Sequence, residues 1–354
     1  MTAATQPGLF GLKNSNRDFT SQDSWGKNQF NSSFPAALCC YLAHKNLNAN
    51  YLKINSQKTY EVGEISISDA FGADPLSSNT HFSFEAIHAP FQPFVKGELP
   101  RTDLVIQTTP SGVCNRGLEV KLTALPDHTT CALADNAFSS EIVVRPDTVV
   151  YLACSIIKSI KKSDLKQYLT VKENDISDWS EPHLVLTKLP KILKNLKELA
   201  ANFNDKQTPF LLQPVWKTEG KSPRLADNCL DVFIWSDAGF LWFINEIAST
   251  DNPTKISRHL RTNVWLYKML LDYYDNGSFS HKEIIDKLSF NTKNDKAFSS
   301  AGNTTHKFLT CANLTKPRIL KKEIKEIILG GGQNLLSPER RFDAIIFNSP
   351  ELFK

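Results

Sequence analysis

LPRTDLVIQTTPSGVCNRGLEVKLT, residues 99–123, carries two apolar runs separated by a turn-rich segment. Leu104-Val105-Ile106 is a short apolar run just after Pro100 and Asp103. The segment Thr108 to Gly112 holds proline and glycine and reads as a turn. Leu118-Glu119-Val120-Lys121-Leu122-Thr123 then alternates apolar with polar, the period of a half-buried strand. Two adjacent strands joined by this turn would set Asp103 beside Glu119. Residues two apart on a strand share a face, so Glu119 and Lys121 should point the same way with Val120 buried behind them.

Those residue types suit one chemistry. Cutting a phosphodiester needs a nucleophilic water, an in-line approach and stabilisation of charge at phosphorus. Hard carboxylates hold Mg²⁺, which clamps a phosphate oxygen and lowers the pKa of bound water; a nearby lysine can position that water and balance charge. An acid-x-Lys triplet is common by itself, and the chain has four: Asp164-Lys166, Glu119-Lys121, Glu219-Lys221 and Glu323-Lys325. Glu323-Lys325 and Asp164-Lys166 read as solvated helical faces, on which residues two apart diverge. Glu219-Lys221 has a glycine between its members and reads as loop. Only Glu119-Lys121 sits in an apolar strand with a second acid on a preceding strand. On spacing alone an ordinary surface pair remains open.

Outward from this stretch, Val143-Val144 and Val149 to Cys154 read as further strand broken by Arg145-Pro146-Asp147. Tyr60 to Ile67 alternates like a strand, and a helix is expected from Pro35 to about His44, with proline in its first turn. The section from Ile156 to about Asn204 is lysine-rich and helical in pattern, with Leu189, Ile192, Leu193, Leu196 and Leu199 on one face. Residues 214–228 carry Pro, Gly, Lys and Ser and read as an exposed connection. Val232–Trp235 and Phe240–Ile244 flank Ser236-Asp237-Ala238-Gly239 as a hairpin would. A helix is expected over Arg258–Tyr274 and a last strand at Ala344–Phe347. The division expected is 1–59, an arm and helix; 60–160, a catalytic core; and 161–354, a helical and α+β region shaping a cleft, the whole forming one compact unit.

The chain has 354 residues and a net charge of +4, which permits a polyanion partner without requiring one. Its start lacks a signal peptide's apolar stretch and its longest apolar runs are too short to cross a bilayer, so a cytoplasmic protein is expected. Seven cysteines are scattered without a CxxC pair, so any metal should sit among oxygens. Gly220-Lys221-Ser222 lacks the first glycine of a phosphate-binding loop, Val215 standing in its place, which excludes an NTPase of that type. There is no Gly-x-Ser-x-Gly element and no His-Glu-x-x-His helix, and the eight histidines are dispersed, against an HNH nuclease.

Pro100-Arg101-Thr102-Asp103 followed by Glu119-Val120-Lys121 resembles the PD-(D/E)XK nuclease signature with its proline displaced from the aspartate. The wider run, Asp103-Leu-Val-Ile106 and Arg116-Gly-Leu-Glu-Val-Lys-Leu-Thr-Ala-Leu-Pro-Asp127, is similar to the HindVP group of Type II restriction endonucleases, as are Trp25-Gly-Lys-Asn-Gln-Phe30 and Gly330-Gly-Gly-Gln-Asn334. The resemblance implies an α/β fold, a restriction-endonuclease-like mixed β-sheet core flanked by helices, with an α+β elaboration in the C-terminal half. It implies Mg²⁺-dependent cleavage of double-stranded DNA at a short palindromic, GRCGYC-like site. Asp103, Glu119 and the Val120 carbonyl would be metal ligands, with Lys121 ordering the attacking water. Many such nucleases add an acid from an upstream helix, for which Glu85 is the candidate and Glu98 the reserve; an ordinary surface acid is the other reading of Glu85. One site per chain favours a two-fold homodimer on a palindrome, and restriction implies a companion DNA methyltransferase.

DNA-contact candidates are Arg145, whose alternative is a salt bridge to Asp147 or Glu141; Lys217, Lys221 and Arg224 near Trp216, otherwise a solvated linker; Arg258 and Arg261 at a helix start; and Arg340 and Arg341 after the glycine run. Two other functions stay open: a structure-selective repair or recombination nuclease of the same fold, and a non-catalytic DNA-binding protein in which Glu119 and Lys121 are structural.

Overall fold

A computed structural model describes residues 24–108, 113–121, 142–203, 207–218, 225–249, 254–290, 297–300 and 319–324. In chain order the elements are α1 (Ser24–His44), β1 (Ala49–Ile54), β2 (Tyr60–Ile65), α2 (Ile67–Phe71), β3 (Thr80–Ala86), β4 (Thr102–Thr108), β5 (Val113–Val120), β6 (Ile142–Val144), α3 (Pro146–Ser159) and α4 (Lys162–Leu165). They continue with α5 (Pro182–Ala201), β7 (Pro209–Thr218), β8 (Leu225–Ser236), α6 (Asp237–Ala248), α7 (Arg258–Asn276), α8 (His281–Lys287), β9 (Phe298–Ser300) and β10 (Ile319–Leu320).

The sheet runs β2-β1-β8-β7-β5-β4-β3, with β10 also pairing with β8. Its centre is mixed: β1 lies parallel to β8 and β5 parallel to β7, while β7/β8, β4/β5, β3/β4 and β1/β2 are antiparallel. The fold is therefore α/β, a mixed sheet flanked by helices, as expected. Strands from the first, middle and last thirds of the chain share this one sheet.

Strand alternation sorts the side chains into two apolar layers. Along β8, Leu230, Val232 and Ile234 join α1 and α2, whereas Phe233 and Trp235 join α3, α5, α6 and α7. Leu104, Ile106, Leu118 and Val120 belong to the α1 layer. The same alternation turns Asp103, Glu119 and Lys121 to the opposite face, toward α3. An apolar backing thus fixes which way the polar residues look, because slipping either strand by one residue would bury the charges among leucines.

Four sequence expectations are corrected. Val149 to Cys154 is not strand but part of α3, where Thr148 through Ile157 are all buried. A continuous run of buried apolar residues cannot be told from a core strand by its pattern, and its valines and isoleucines favour the strand reading. Ser236-Asp237-Ala238-Gly239 is not a hairpin turn: Ser236 caps α6, its Oγ accepting from the Gly239 N–H at 2.8 Å. Gly239 is required for packing rather than turning, since a Cβ there would meet the Leu52 carbonyl oxygen at 2.8 Å. Of residues 214–228, read as an exposed connection, 214–218 belong to β7 and 225–228 to β8, while 219–224 lie outside the described residues. Pro214 is tolerated because the β5–β7 ladder runs only through Leu212, leaving β7 with β8 alone beyond it. Finally, α1 starts eleven residues before Pro35 and carries that proline inside it. The expected last strand at 344–347 lies outside the described residues. Among the described residues no helix is long and apolar enough to cross a membrane.

Candidate active site

The β4–β5 register pairs Leu104 with Leu118, so Asp103 falls opposite Glu119. At the next residue the Val120 N–H donates to Asp103 Oδ2 at 2.8 Å. Thr102 adds a second tie, its hydroxyl donating to the Leu118 carbonyl at 3.0 Å. Lys121 follows the end of β5 and is held by the next strand, its N–H donating to the Leu212 carbonyl at 2.9 Å. Glu119 and Lys121 are each 7% exposed, and Lys121 Nζ donates to Glu119 Oε1 at 2.5 Å. An acid and a lysine two apart on a solvated surface would not be so enclosed.

Helix α3 closes the site from above. Pro146 occupies its first turn, where a missing N–H costs nothing. Thr148, fully buried, donates to Glu119 Oε1 at 3.2 Å and accepts from Lys121 Nζ at 3.1 Å. One turn on, the Tyr151 hydroxyl donates to the Pro100 carbonyl at 2.7 Å, just before β4, and accepts from the His88 N–H at 3.4 Å. Farther along, Ser155 donates to Asp237 Oδ2 at 3.3 Å, and Thr208 donates to the same oxygen at 2.5 Å. One helix thus touches the entrance of β4, the exit of β5 and the start of α6.

The electrostatics are those of crowded carboxylates. Burial first, and then the Glu119 charge, push the Asp103 carboxyl up to about 7, against the pull of Lys121 and the Val120 N–H; Glu85 pushes the same way. Glu85 is itself raised by burial and by Glu119, with Arg101 and Arg145 opposing. Asp147 is raised by burial and by Glu119, opposed by His281, Arg145 and Lys121. The Glu119 charge thus acts on all three of the other acids, opposed by Lys121 at Asp103 and Asp147 and by Arg101 and Arg145 at Glu85.

Glu85 is on β3, not on the upstream helix expected for it. The β3–β4 register pairs Phe84 with Leu104 and Ala86 with Thr102, which places Glu85 across from Asp103. Its φ of 50° interrupts the ladder there, a conformation that costs a non-glycine residue about 1–3 kcal/mol. Glu98 stands exposed ahead of β4.

Sequence reasoning missed Asp147 and Thr148 as neighbours of the site. The available signal was Arg-Pro-Asp-Thr at 145–148, a helix start with proline at its head and an acid in the first turn. It also missed Gly117, two residues before Glu119 on the same face. A Cβ at Gly117 would lie 2.9 Å from the His88 ring, which is buried and T-stacked on Phe91 at 4.5 Å. We expect Gly117→Ala to lower stability by about 1–3 kcal/mol and to slow any activity of the Glu119 strand. Chemical denaturation and a rate assay on the same preparation check this.

The basic candidates divide. Arg145 is exposed at the head of α3 and acts electrostatically on Glu85 and Asp147. Arg258 is exposed at the start of α7. Arg261 is 1% exposed, stacked on the Trp265 ring at 4.7 Å and donating to the Ser289 carbonyl at 3.4 Å. Its guanidinium is committed to the protein interior, so it is corrected to a structural residue. Lys217 falls on β7, while Lys221, Arg224, Arg340 and Arg341 lie outside the described residues.

Among the described residues no three His, Cys, Asp or Glu side chains are gathered as a ready metal cage. The donors present, the carboxylates of Asp103 and Glu119 on facing positions of β4 and β5, still fit a hard divalent ion. Magnesium is commonly held by one or two carboxylates with water and substrate oxygens completing the shell. Neutralising the crowding around Asp103 is what such an ion would accomplish.

Comparison with known proteins gives concordant matches. The family described as HindVP restriction endonuclease matches residues 25–353. A probable type II restriction enzyme HindVP of Haemophilus influenzae is 52% identical over 351 residues, covering 99% of this chain and 96% of the relative. The type II restriction enzyme HgiDI of Herpetosiphon aurantiacus is 40% identical over 351 residues, covering 99% of this chain and 98% of the relative. No solved structure matches.

Proposed function

The chain belongs to the HindVP restriction endonuclease family, and on that footing we propose that it is a Type II site-specific deoxyribonuclease whose hydrolytic centre is Asp103, Glu119 and Lys121. The observation that supports the residue assignment is that Asp103 lies opposite Glu119 on the α3-facing side of β4 and β5, its carboxylate accepting from the Val120 N–H while Lys121 pairs with Glu119.

In this reading Asp103, Glu119 and the Val120 carbonyl hold Mg²⁺, with Glu85 as a further acid within electrostatic reach. The ion, when bound, supplies charge neutralisation at the scissile phosphate and acidifies a water ligand. The chain's own groups do the rest. Lys121 orients the attacking water and offsets negative charge. The Val120 N–H fixes the rotamer of Asp103. Arg145, exposed beside the acids, contacts a backbone phosphate and brings the duplex to the cleft. Arg258, Lys217, Lys221, Arg224, Arg340 and Arg341 are proposed to make further DNA contacts.

One hydrolytic centre per chain cuts one strand, so a two-fold homodimer matches a palindromic duplex. The proposed site is GRCGYC-like; its purine and pyrimidine positions would be read by groups that accept either purine, such as a donor to N7. A companion methyltransferase would protect that site in the same cell.

Digestion of a defined plasmid with and without Mg²⁺, followed by sequencing of the fragment ends, tests this function. We expect discrete fragments only with the ion, all ends mapping to one short palindrome. Intact plasmid under every condition, or degradation without a common end sequence, would reject it.

A further inference from the structure

Thr148 shares no strand with the proposed hydrolytic residues, yet its hydroxyl has no spare bonding capacity. A hydroxyl has one proton to give and two lone pairs to offer. The proton goes to Glu119 Oε1 at 3.2 Å; the lone pairs take Lys121 Nζ at 3.1 Å and the Arg145 N–H at 3.3 Å. The last bond is half of a capping arrangement at the start of α3. The Lys121 ammonium is thereby anchored to a helix terminus as well as to its own strand.

Geometry gives this consequence. A lysine side chain has four rotatable carbons, and one ion pair leaves its head free to swing about the carboxylate. A second, non-ionic acceptor on a different element fixes it by triangulation. Glu119 receives the same service, since the threonine proton and the ammonium meet at one oxygen, Oε1, and leave Oε2 for another partner. Tyr151, one turn along, ties the same helix to Pro100 before β4, so the anchor is referenced to both strands.

We propose that Thr148 is a positioning residue of the hydrolytic centre, holding the Lys121 ammonium and the Glu119 carboxylate in their reactive placement. This rests on the reading of Lys121 and Glu119 given above. The methyl group of Thr148 fills the buried head of α3, and the hydroxyl alone does the orienting.

Thr148→Val keeps the shape and removes the hydroxyl; Thr148→Ser keeps the hydroxyl. Both are compared with the parent and with Lys121→Ala in single-turnover cleavage of a defined duplex, DNA affinity without divalent ion, and amine labelling read peptide by peptide. Misplacing a reacting group by about an ångström costs up to about 100-fold, so Thr148→Val should cleave about 10- to 100-fold more slowly at saturating DNA, with unchanged affinity. Thr148→Ser should return most of the rate. Labelling of Lys121 should rise several-fold in Thr148→Val only, while that of Lys268, ion-paired to Glu173 at 2.8 Å and to Asp272, stays constant.

Parental cleavage by Thr148→Val overturns the proposal. Equal loss in the valine and serine variants, or increased labelling of Lys268 as well as Lys121, also overturns it, because either marks a general loosening of the fold. If Lys121→Ala itself cleaves at the parental rate, the reading of the site falls and this inference with it. If Lys121→Ala is inactive and Thr148→Val is not, the inference falls alone.

Discussion

Lys121→Ala should lower the single-turnover rate of DNA cleavage by about 10²- to 10⁴-fold, the range for losing a group that manages proton transfer. Duplex affinity should survive, because binding is dominated by cations along the phosphate backbone and Lys121 is enclosed. The substitution also leaves Glu119 facing Asp103 without its counter-charge in a buried setting, and breaking a buried pair in this way costs about 3–5 kcal/mol. The metal-free variant should therefore melt well below the parent, with millimolar Mg²⁺ recovering part of the difference. Rate, affinity and melting temperature on one preparation separate the chemical loss from the structural one. Near-parental cleavage by a folded Lys121→Ala would remove it from the mechanism.

Asp103→Asn should abolish cleavage and yet stabilise the metal-free protein. The sign follows from the direction of the shift. Asp103 is raised from 3.8 to about 7 by burial and by Glu119. Between about pH 4 and pH 7 the unfolded chain has released this proton while the folded chain retains it. Stability contributed by the protonated form is thus lost as pH rises through that window, and the loss is complete above it. Asparagine keeps the shape and can still accept from the Val120 N–H, but carries no charge. At pH 8 without divalent ion Asp103→Asn should be more stable than the parent by about 2–4 kcal/mol, and at pH 4 the two should be close. Asp237, also raised to about 7 by burial, titrates alike in both proteins and cancels in the comparison. Mg²⁺ should raise the melting temperature of the parent and leave that of Asp103→Asn nearly unchanged. A variant less stable than the parent at pH 8 would mean that the Asp103 charge is compensated in the metal-free protein.

The part of the fold that carries this chemistry was readable because its physics is local. Leu104, Ile106, Leu118 and Val120 alternate with Asp103, Glu119 and Lys121, and alternation alone fixes which residues share a face. Helices α5 and α7 were readable for the parallel reason, an apolar stripe with helical period. What escaped was set by burial and long-range pairing. Helix α3 is buried from Thr148 through Ile157, and its continuous apolar run reads as strand as readily as helix. Gly239 resembles a turn residue only until the Leu52 backbone is known to lie against it. Glu85 owes its place beside Asp103 to a strand pairing and an irregular φ that no neighbouring residue announces. Thr148 reaches Lys121 across 27 positions of sequence, a distance at which spacing says nothing. Arg261 failed as a surface candidate because a helix start is exposed only where nothing packs over it.

In the proposed mechanism Asp103, Glu119 and Lys121 act together on one scissile phosphate. Glu119→Gln isolates that claim, since the amide keeps an oxygen for Lys121 and Thr148 and removes only the charge. Incubated with plasmid and Mg²⁺ after its fold is verified by circular dichroism, this variant should leave the DNA intact where the parent yields discrete fragments. The same fragments produced by Glu119→Gln at close to the parental rate would contradict the claim.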